Sequence, residues 1–579
     1  MRRPRFSGES RSRSRSFGWL ASALVIATTL LAPLAALAQD ATPEVMGEPI
    51  KSLTREEFEA QLIEDIGYTD AATPGGTLID SNISDIQTVH PFLAEEQDSI
   101  AVANLIFEQL TGGDPRNGQP SPTGLADYWE VAADGVTYTF HLSKDATWHD
   151  GVDVTADDVV FSFDALANPD TGSVYTGSFV DSVASWRAVD DDTFEIVAKE
   201  PVFTFLYELV AYIVPKHIWE DVPLSEWRHD PGATGTDPAR VIGSGPFKFQ
   251  EWRQGESVTL VRNDDYHGKV PYIDTYTLTV WPEQTAAVNA LLNGEVDVSA
   301  LEPSDIAAIE GTPGIVVDNF DSRGFFYYEF NLNDEVTTLW QDERVRQAMF
   351  YALDRESIVN DILLGYGTVA EGTQPVISYA YAPDQITTKY TFDPEKAKAL
   401  LAEAGWTDTD GDGIVDKDGT PLSFEFLYFS GRPTIDQLVA YMQDAWGAIG
   451  IDMTPRAMEF AALIEATTTN LDWEVAFYGF SWDATFLQDA MFGCDQYQVG
   501  FNDMKYCNPE LDEIFAETKR TFDEEARREL LIEASNIVND DQPVGVLYFD
   551  QGHAAYTDKL QNFNPGPWGI DLSYVWIQQ

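Results

Sequence analysis

The chain has 579 residues, of which 96 are Asp or Glu and 35 are Lys or Arg, so its formal net charge is −61. A surface this acidic repels nucleic acid and anionic lipid, which excludes proteins that bind those polyanions. With 44% hydrophobic and 12% aromatic residues the chain is not a disordered one, and it is longer than the roughly 250–300 residues that one core supports, so we expect at least two lobes. Two explanations for the charge stay open: a salty or acidic habitat, and attraction of cationic ligands.

Residues 1–38 have the pattern of a cleaved secretory signal. Six arginines fall within residues 2–15, an apolar run covers residues 17–37, and the triplet ALA occupies residues 36–38. A basic head, an apolar middle and a small-x-small end are typical of a signal removed on export. A membrane anchor is the alternative because the run is nearly long enough to span, but Pro33 and the small residues favour cleavage. Since no Cys follows the predicted cleavage site, we expect a soluble periplasmic or extracytoplasmic chain without a lipid anchor.

Residues 39–73 are predicted to form an acidic, partly helical N-terminal extension. Leu53, Phe58, Leu62 and Ile66 recur there at a helical spacing. The folded body is expected to begin at the glycine pair 75–76, because glycines commonly interrupt the chain just before a strand.

Patterns typical of strands and helices alternate through the rest of the chain. Residues 137–142 (TYTFHL) alternate polar and apolar side chains, which predicts a half-buried strand. Thr155, followed by acidic residues, predicts the start of one helix. Asp393 and Pro394 predict the start of another, which should end at Gly405. This mixture indicates an α/β architecture with mixed sheets.

Several stretches of the chain resemble one known family. The first block contains GLADYWEV, DGVTYTFHL, WHDG and TADDVVF, at residues 124–131, 134–142, 148–151 and 155–161. Further stretches follow in the family's order: GSGPF at 243–247 with YHG at 266–268, RVRQA at 344–348 with ALDR at 352–355, DPEKA at 393–397, and NPELD at 508–512. From about residue 75 to its end, the chain resembles the family 5 extracellular solute-binding proteins, the oligopeptide, dipeptide and nickel binders of ABC importers.

The resemblance implies a two-lobed, periplasmic-binding-protein-like fold of the class C type, with a hinge about which the lobes close over a ligand. We expect the chain to cross between lobes near residues 325–331 and to return near residues 544–549. Lobe one would then comprise residues 74–328 and 546–579, and lobe two residues 329–545.

The closest resemblance within the family is to the dipeptide-binding branch. FSWD at 480–483 resembles the segment whose Asp receives a peptide's α-ammonium, and YFSGRP at 428–433 resembles the segment whose Arg receives the carboxylate. Asp483 and Arg432 are therefore candidate ligand-binding residues, with Trp482 as a third. A zwitterion that leaves water needs a counter-charge at each end, and a guanidinium can donate two parallel hydrogen bonds to a carboxylate. Ordinary surface charges are the alternative. After Asp483 the sequence departs from the family pattern, which leaves the ligand's length and chemistry open.

Cys494 and Cys507 are the two cysteines of the chain. The dipeptide-binding relatives carry a similar pair flanking a Gly/Asn segment, here residues 500–502. The resemblance and the predicted export to an oxidising compartment imply a disulfide; two free buried thiols are the alternative.

Residues 408–419 (DTDGDGIVDKDG) space their acids like a calcium loop. Asp408, Asp410, Asp412 and Asp416 are the candidate ligands, since alternate acids around a glycine can place several oxygens about one cation. The twelfth position is Gly rather than the bidentate Glu of an EF-hand. A structural Ca²⁺ and a plain solvated turn therefore both fit the sequence.

Sequence motifs of catalysis are not found: the chain has no HExxH, no GxSxG and no phosphate-binding glycine loop. Its seven histidines are scattered, and none lies between residues 268 and 552, which argues against a nickel-chelate ligand in lobe two. We expect a monomeric receptor that needs no cofactor and passes a short peptide to an ABC transporter permease. An oligosaccharide receptor, stacking sugars on tryptophans such as Trp482, and a secreted hydrolase are the alternatives.

Overall fold

The structure, a computed structural model, describes residues 49–69, 72–209 and 212–578. The predicted signal at residues 1–38 and the start of the predicted extension lie outside the described residues. The fold is two-lobed, with helices and mixed sheets in both lobes, as the sequence predicts.

Two sheets build the first lobe. An antiparallel sheet has the strand order Ile50–Lys51, Ala126–Val131, Thr137–Leu142, Thr193–Ala198 and Val183–Asp190. A mixed sheet has the order Thr77–Asn82, Thr275–Val280, Ser257–Arg262 and Phe247–Arg253, with its first pair parallel. The helices of this lobe are Arg55–Ile66, Gln97–Ile106, Ala156–Leu166, Thr176–Ser182, Phe205–Glu208, Lys216–Trp219, Gln284–Asn293 and Pro303–Ile309.

One large mixed sheet runs from the first lobe into the second and organises the second lobe. Its order is Val298–Ala300, Val544–Thr557, Ile315–Phe330, Val475–Ser481, Ser423–Phe429 and Asp452–Met458, with Thr368–Val369 also paired to Val544–Thr557. The helices of this lobe are Glu343–Tyr351, Arg355–Ser357, Pro394–Glu403, Pro433–Gly447, Phe460–Ile464, Asp489–Phe492, Pro509–Arg520 and Glu524–Asp541.

The local predictions are confirmed. The predicted strand is Thr137–Leu142, with alternate side chains buried. The helix Ala156–Leu166 begins with a capping box between Thr155 and Asp158. The helix Pro394–Glu403 is capped by the Asp393 side chain, and Gly405 follows it with a φ of 91°, a left-handed conformation that glycine adopts without strain.

Two long strands carry the chain between the lobes: the first crossing strand Ile315–Phe330 and the second crossing strand Val544–Thr557. They pair antiparallel along most of their length, but Asp321 pairs with Gln551 and Phe325 with Phe549. Residues 322–324 therefore stand opposite a single residue, Asp550. Such a bulge interrupts the ladder and bends the strand, which makes it a natural position for a hinge.

The core changes at this bulge. Ile315 and Val317 pack against a first-lobe core, whereas residues 325–330 and 544–549 belong to the cores of the second lobe. The predicted lobe boundaries, after residue 328 and before residue 546, lie a few residues inside the second-lobe core. They stay a prediction, and the packing favours moving both to the bulge.

The N-terminal segment is more closely integrated than the sequence suggested. Ile50–Lys51 forms an edge strand of the antiparallel sheet, and the helix Arg55–Ile66 buries Phe58 and Leu62 against Tyr574. The expectation that the folded body begins at residues 75–76 is therefore wrong. The apolar face of this helix packs against the first lobe, so the segment is not a loose extension.

Candidate functional site

The candidate binding residues lie at one edge of the second-lobe sheet. Ser423–Phe429 runs parallel to both of its neighbours, Asp452–Met458 and Val475–Ser481. The carboxyl ends of these strands therefore meet at the same edge, where ligands commonly bind in open α/β sheets. Arg432 follows the first strand and Asp483 follows the third.

Asp483 is exposed and lines a cavity of about 720 Å³ that also reaches into the first lobe. Its carboxylate accepts a hydrogen bond from the Thr485 backbone N–H at 2.9 Å and another from the Thr485 hydroxyl. These bonds fix the orientation of the carboxylate within its turn. One oxygen is thereby fixed while the group still faces the cavity, which suits it to receive a cation.

Trp482 does not present a face to the cavity in this structure. It is 3% exposed, its ring stacks on Phe325 at 5.4 Å, and its indole N–H donates to the Thr373 carbonyl at 3.1 Å. The prediction that Trp482 binds ligand is therefore not supported. Burying a large aromatic ring is strongly stabilising. The buried Trp482 ring therefore anchors the turn that carries the exposed Asp483.

Arg432 is exposed and occupies the position just before the helix Pro433–Gly447. It is not among the described residues that line the cavity. Its charge acts instead on Asp550, at the bulge between the crossing strands. Burial raises the pKa of Asp550 to about 6, and the positive charge of Arg432 opposes that rise. The structure thus places Arg432 near the hinge, at the same sheet edge as Asp483.

The first-lobe side of the cavity was missed by the sequence reasoning. It is lined by Tyr207, by Trp568 in the C-terminal segment, and by Arg55, Glu59 and Leu62 of the N-terminal helix. The helical spacing of these last three is visible in the sequence. Nothing in the sequence alone shows that this helix and Asp483 lie at the same cavity, because the two are far apart in the chain.

Buried polar groups line the floor of the cavity. The His267 imidazole bonds both carboxylate oxygens of Glu108 at 3.1 Å, and the neighbouring charges hold the pKa of Glu108 below its usual value in spite of burial. Asp80 accepts a hydrogen bond from the Tyr276 hydroxyl at 2.9 Å, and burial raises the pKa of Asp80 to about 6. These hydrogen bonds give the floor fixed polarity, while the His267 Nδ1 atom has no partner among the described residues.

Direct contacts join the two lobes beside the cavity. The Phe203 backbone N–H donates to the Lys519 carbonyl at 2.9 Å, and the Arg527 guanidinium lies 4.1 Å above the Phe203 ring. The Gln119 amide donates to Glu524 at 3.1 Å. The structure therefore shows the lobes in contact on this side of the cavity.

The predicted disulfide is confirmed: Cys494 and Cys507 are bonded. Between them, the Asn502 side chain donates to the carbonyls of Gly493 at 2.8 Å and Tyr506 at 2.7 Å. The bond and these two hydrogen bonds fix the loop between the cysteines, whose Phe501 ring lies 5.0 Å from that of Phe480 on the strand that leads to Asp483.

The acidic loop brings some of its predicted ligands together. One oxygen each of Asp408, Asp410 and Asp416 lies within 4.8 Å of the others, and among the described residues Asp412 is not part of that group. The Asp412 carboxylate instead accepts the Ile414 backbone N–H at 2.8 Å. Asp408 likewise accepts the N–H of Gly411 at 2.6 Å. Three of the four predicted ligands therefore lie close together, and the calcium site stays a prediction.

None of the described helices combines the length and apolar character that crossing a membrane requires.

Comparison with known proteins agrees with this geometry. Residues 122–498 match the family described as bacterial extracellular solute-binding proteins, family 5 middle. The chain is 30% identical over 499 residues to the oligopeptide-binding protein AppA of Bacillus subtilis (strain 168), covering 85% of this chain and 90% of that one. It is 28% identical over 450 residues to the dipeptide-binding protein of Escherichia coli (strain K12), covering 73% and 80%.

Solved structures share the fold. AppA from Bacillus subtilis in complex with a nonapeptide superposes with a TM-score of 0.73 at 28% identity, covering 88% of this chain and all of that one. NikZ from Campylobacter jejuni in complex with Ni(L-His) superposes with a TM-score of 0.72 at 27% identity, covering 87% and 99%. The chain therefore belongs to the family 5 bacterial extracellular solute-binding proteins.

Proposed function

We propose that this protein captures a short peptide between its lobes and delivers it to the permease of an ABC transporter. The observation that carries the proposal is the position of Asp483. It is an exposed carboxylate on a braced turn, at the carboxyl end of parallel strands, and it lines a cavity shared by both lobes. Relatives named for oligopeptide and dipeptide binding support the ligand class.

In this proposal Asp483 receives the peptide's α-ammonium and Arg432 its carboxylate. Arg432 does not line the cavity in this structure, so its role requires that the peptide extend along the sheet edge toward the hinge. The hinge itself would be the bulge at residues 322–324 opposite Asp550. Trp568 lies against both lobes there: its ring is 6.1 Å from that of Phe486 in the second lobe, and it packs on first-lobe Gly118.

The alternative ligand classes have less support. An oligosaccharide receptor would stack sugars on exposed tryptophans. Trp482 is buried, which leaves Trp568 as the tryptophan that lines the cavity among the described residues. A nickel-chelate ligand is bound by relatives such as NikZ, but the histidines of this chain leave residues 268–552 without an imidazole.

The cellular setting completes the proposal. We infer that residues 1–38 direct export and are removed, that the mature chain acts as a monomer outside the cytoplasm without a lipid anchor, and that it needs neither a cofactor nor a catalytic group. The loop 408–419 would hold a structural Ca²⁺ through Asp408, Asp410 and Asp416, supported by their clustered oxygens.

Calorimetry with blocked and free peptides tests the assignment of the two charges. Deleting one partner of a desolvated pair costs about 2–5 kcal/mol, or about 30-fold to several-thousand-fold in affinity. Asp483→Asn should weaken free tripeptides by that amount and leave N-acetylated tripeptides, which bind poorly already, nearly unchanged.

Arg432→Ala is the matched experiment at the other terminus, with C-terminally amidated tripeptides as the insensitive control. Equal losses for blocked and free peptides would show that neither residue reads a terminus. Full-strength binding in both variants would overturn the assignment of these residues.

A further inference from the structure

The N-terminal helix Arg55–Ile66 is part of the wall of the ligand cavity. Arg55, Glu59 and Leu62 line the same cavity that Asp483 reaches from the second lobe. Positions i, i+4 and i+7 share one face of a helix, so a single face of this helix borders the cavity. The helix lies outside residues 122–498, which match the family model.

This helix is held firmly against the first lobe. The buried Arg55 guanidinium donates to the Asp127 carboxylate at 3.0 Å and to the Gly124 carbonyl. One turn later, Phe58 packs with Tyr574 in a small core. Because a partly buried ion pair and a buried ring flank it, Glu59 has a fixed position in the wall.

Other charged groups at this end of the cavity already have partners within the protein. Glu108 is bonded by His267 at 3.1 Å. Lys269 donates to the Tyr272 hydroxyl at 2.9 Å and lies 4.3 Å from the centre of that ring. The hydrogen-bonding capacity of these groups is therefore used within the protein, although Lys269 keeps its positive charge because its partner is a neutral hydroxyl.

Glu59 differs from them. Among the described residues, no hydrogen-bond donor or cationic nitrogen lies within bonding distance of its carboxylate, although the side chain is half-buried. Burial raises the pKa of Glu59, and the charge of Asp571, which lines the same end of the cavity, adds to the rise. The charges of Arg55, Lys269 and His267 oppose the rise without any of them bonding the carboxylate. A half-buried carboxylate without a partner is costly, and a cation supplied by the ligand would remove that cost.

We propose that the N-terminal helix is a working part of the binding site and that Glu59 is a specificity-determining residue that favours ligands with a basic side chain. The inference rests on the proposed function and names its substrate class: short peptides that carry Lys or Arg. The peptide's ammonium would bind Asp483 in the second lobe, and a basic side chain would reach Glu59 across the cavity. The chain's negative charge has two possible explanations, a salty or acidic habitat and attraction of cationic ligands. Glu59 would give the second explanation a specific location in the cavity wall.

Calorimetry with paired tripeptides tests this proposal on the full mature chain. The probes are tri-alanine derivatives with Lys at the first, second or third position, each compared with its Glu counterpart. At one position the wild-type protein should bind the Lys peptide at least 10-fold more tightly than the Glu peptide. Glu59→Lys should reduce that ratio below 3-fold. Glu64→Lys is the matched control, because it makes the same change on the same helix at an exposed position away from the cavity, and it should keep the wild-type ratio.

The outcomes separate this inference from the proposed function. If the wild type binds none of the six peptides, the peptide assignment itself fails. If it binds them without a Lys preference at any position, the inference fails and the peptide receptor stands. An equal loss of preference in both lysine variants would show a general field effect of the surface and would also overturn the role of Glu59. If Glu59→Lys does not fold, Glu59→Gln replaces it. This variant should also have a lower Lys-to-Glu affinity ratio than the wild type, and an unchanged ratio would overturn the role of Glu59.

Discussion

The buried carboxyl of Glu329 predicts an unusual gain of stability on substitution. Glu329 lies on the first crossing strand with no exposed surface, and its side chain accepts a hydrogen bond from the Tyr478 hydroxyl. Its second oxygen has no partner among the described residues. Burial, together with the charge of Asp503, raises the pKa of Glu329 well above its usual value. The folded protein therefore holds this carboxyl protonated, whereas the unfolded chain ionises it.

The sign and size of the effect follow from proton linkage. Above the ordinary Glu pKa of about 4.3 the unfolded state binds fewer protons than the folded state, so the free energy of unfolding falls as the pH rises. The loss is about 1.4 kcal/mol per pH unit for as long as the folded carboxyl stays protonated. Glu329→Gln keeps the shape and the acceptor for Tyr478 but removes the ionisation, so it should stabilise the protein increasingly above pH 4.3.

Urea unfolding of wild type and Glu329→Gln at pH 5 and pH 6 measures this effect. The difference in unfolding free energy between the two proteins should grow by about 1.4 kcal/mol between these pH values, in favour of the variant. Glu335→Gln, at an exposed position of the same lobe, is the control and should show no such growth. A constant difference, or one that grows in favour of wild type, would mean that the folded carboxyl is ionised and would refute the reasoning.

Three further predictions concern the disulfide, the acidic loop and the contact between lobes. Replacing Cys494 and Cys507 by Ser should lower stability by about 3 kcal/mol, as loop entropy for this separation predicts, and the unfolded, unreduced wild type should show no free thiol; two titratable thiols would contradict the bond. Ca²⁺ should raise the melting temperature of wild type, and changing Asp410 and Asp416 to Asn should abolish that rise. A wild-type melting temperature that does not change with Ca²⁺ would mean that the loop is a solvated turn. Phe203→Ala removes the ring beneath a guanidinium, an interaction of about 0.5–2 kcal/mol, so peptide should dissociate about 2- to 30-fold faster in stopped flow; an unchanged rate would show that this contact does not hold the lobes closed.

The sequence predicted the local elements and the family well because those depend on short-range patterns. The cap at Asp393, the stop at Gly405 and the alternation in residues 137–142 act over a single turn or strand, and each is formed as predicted. The motifs that carry the family resemblance are likewise short, and their order along the chain sufficed to predict a two-lobed fold.

The parts of the site that the sequence did not predict depend on packing between distant segments. Trp482 is a plausible ligand contact by residue type, but its burial against Phe325 follows from pairing between two strands about 150 residues apart. The docking of the N-terminal helix depends on Arg55 reaching Asp127 and on Phe58 reaching Tyr574 near the other end of the chain. An amphipathic face predicts that a helix docks, but it does not say on which surface.

Native mass spectrometry of the purified mature protein with a mixture of short peptides tests whether Asp483 captures a peptide by its ammonium. We expect one retained peptide per chain, selected from the mixture, and loss of that retention in Asp483→Asn. A control mixture of the same peptides with acetylated N-termini should not be retained, because the ammonium that pairs with the carboxylate is absent. Retention of a neutral sugar or a metal chelate in preference to every peptide, or equal retention of free and acetylated peptides, would contradict the account.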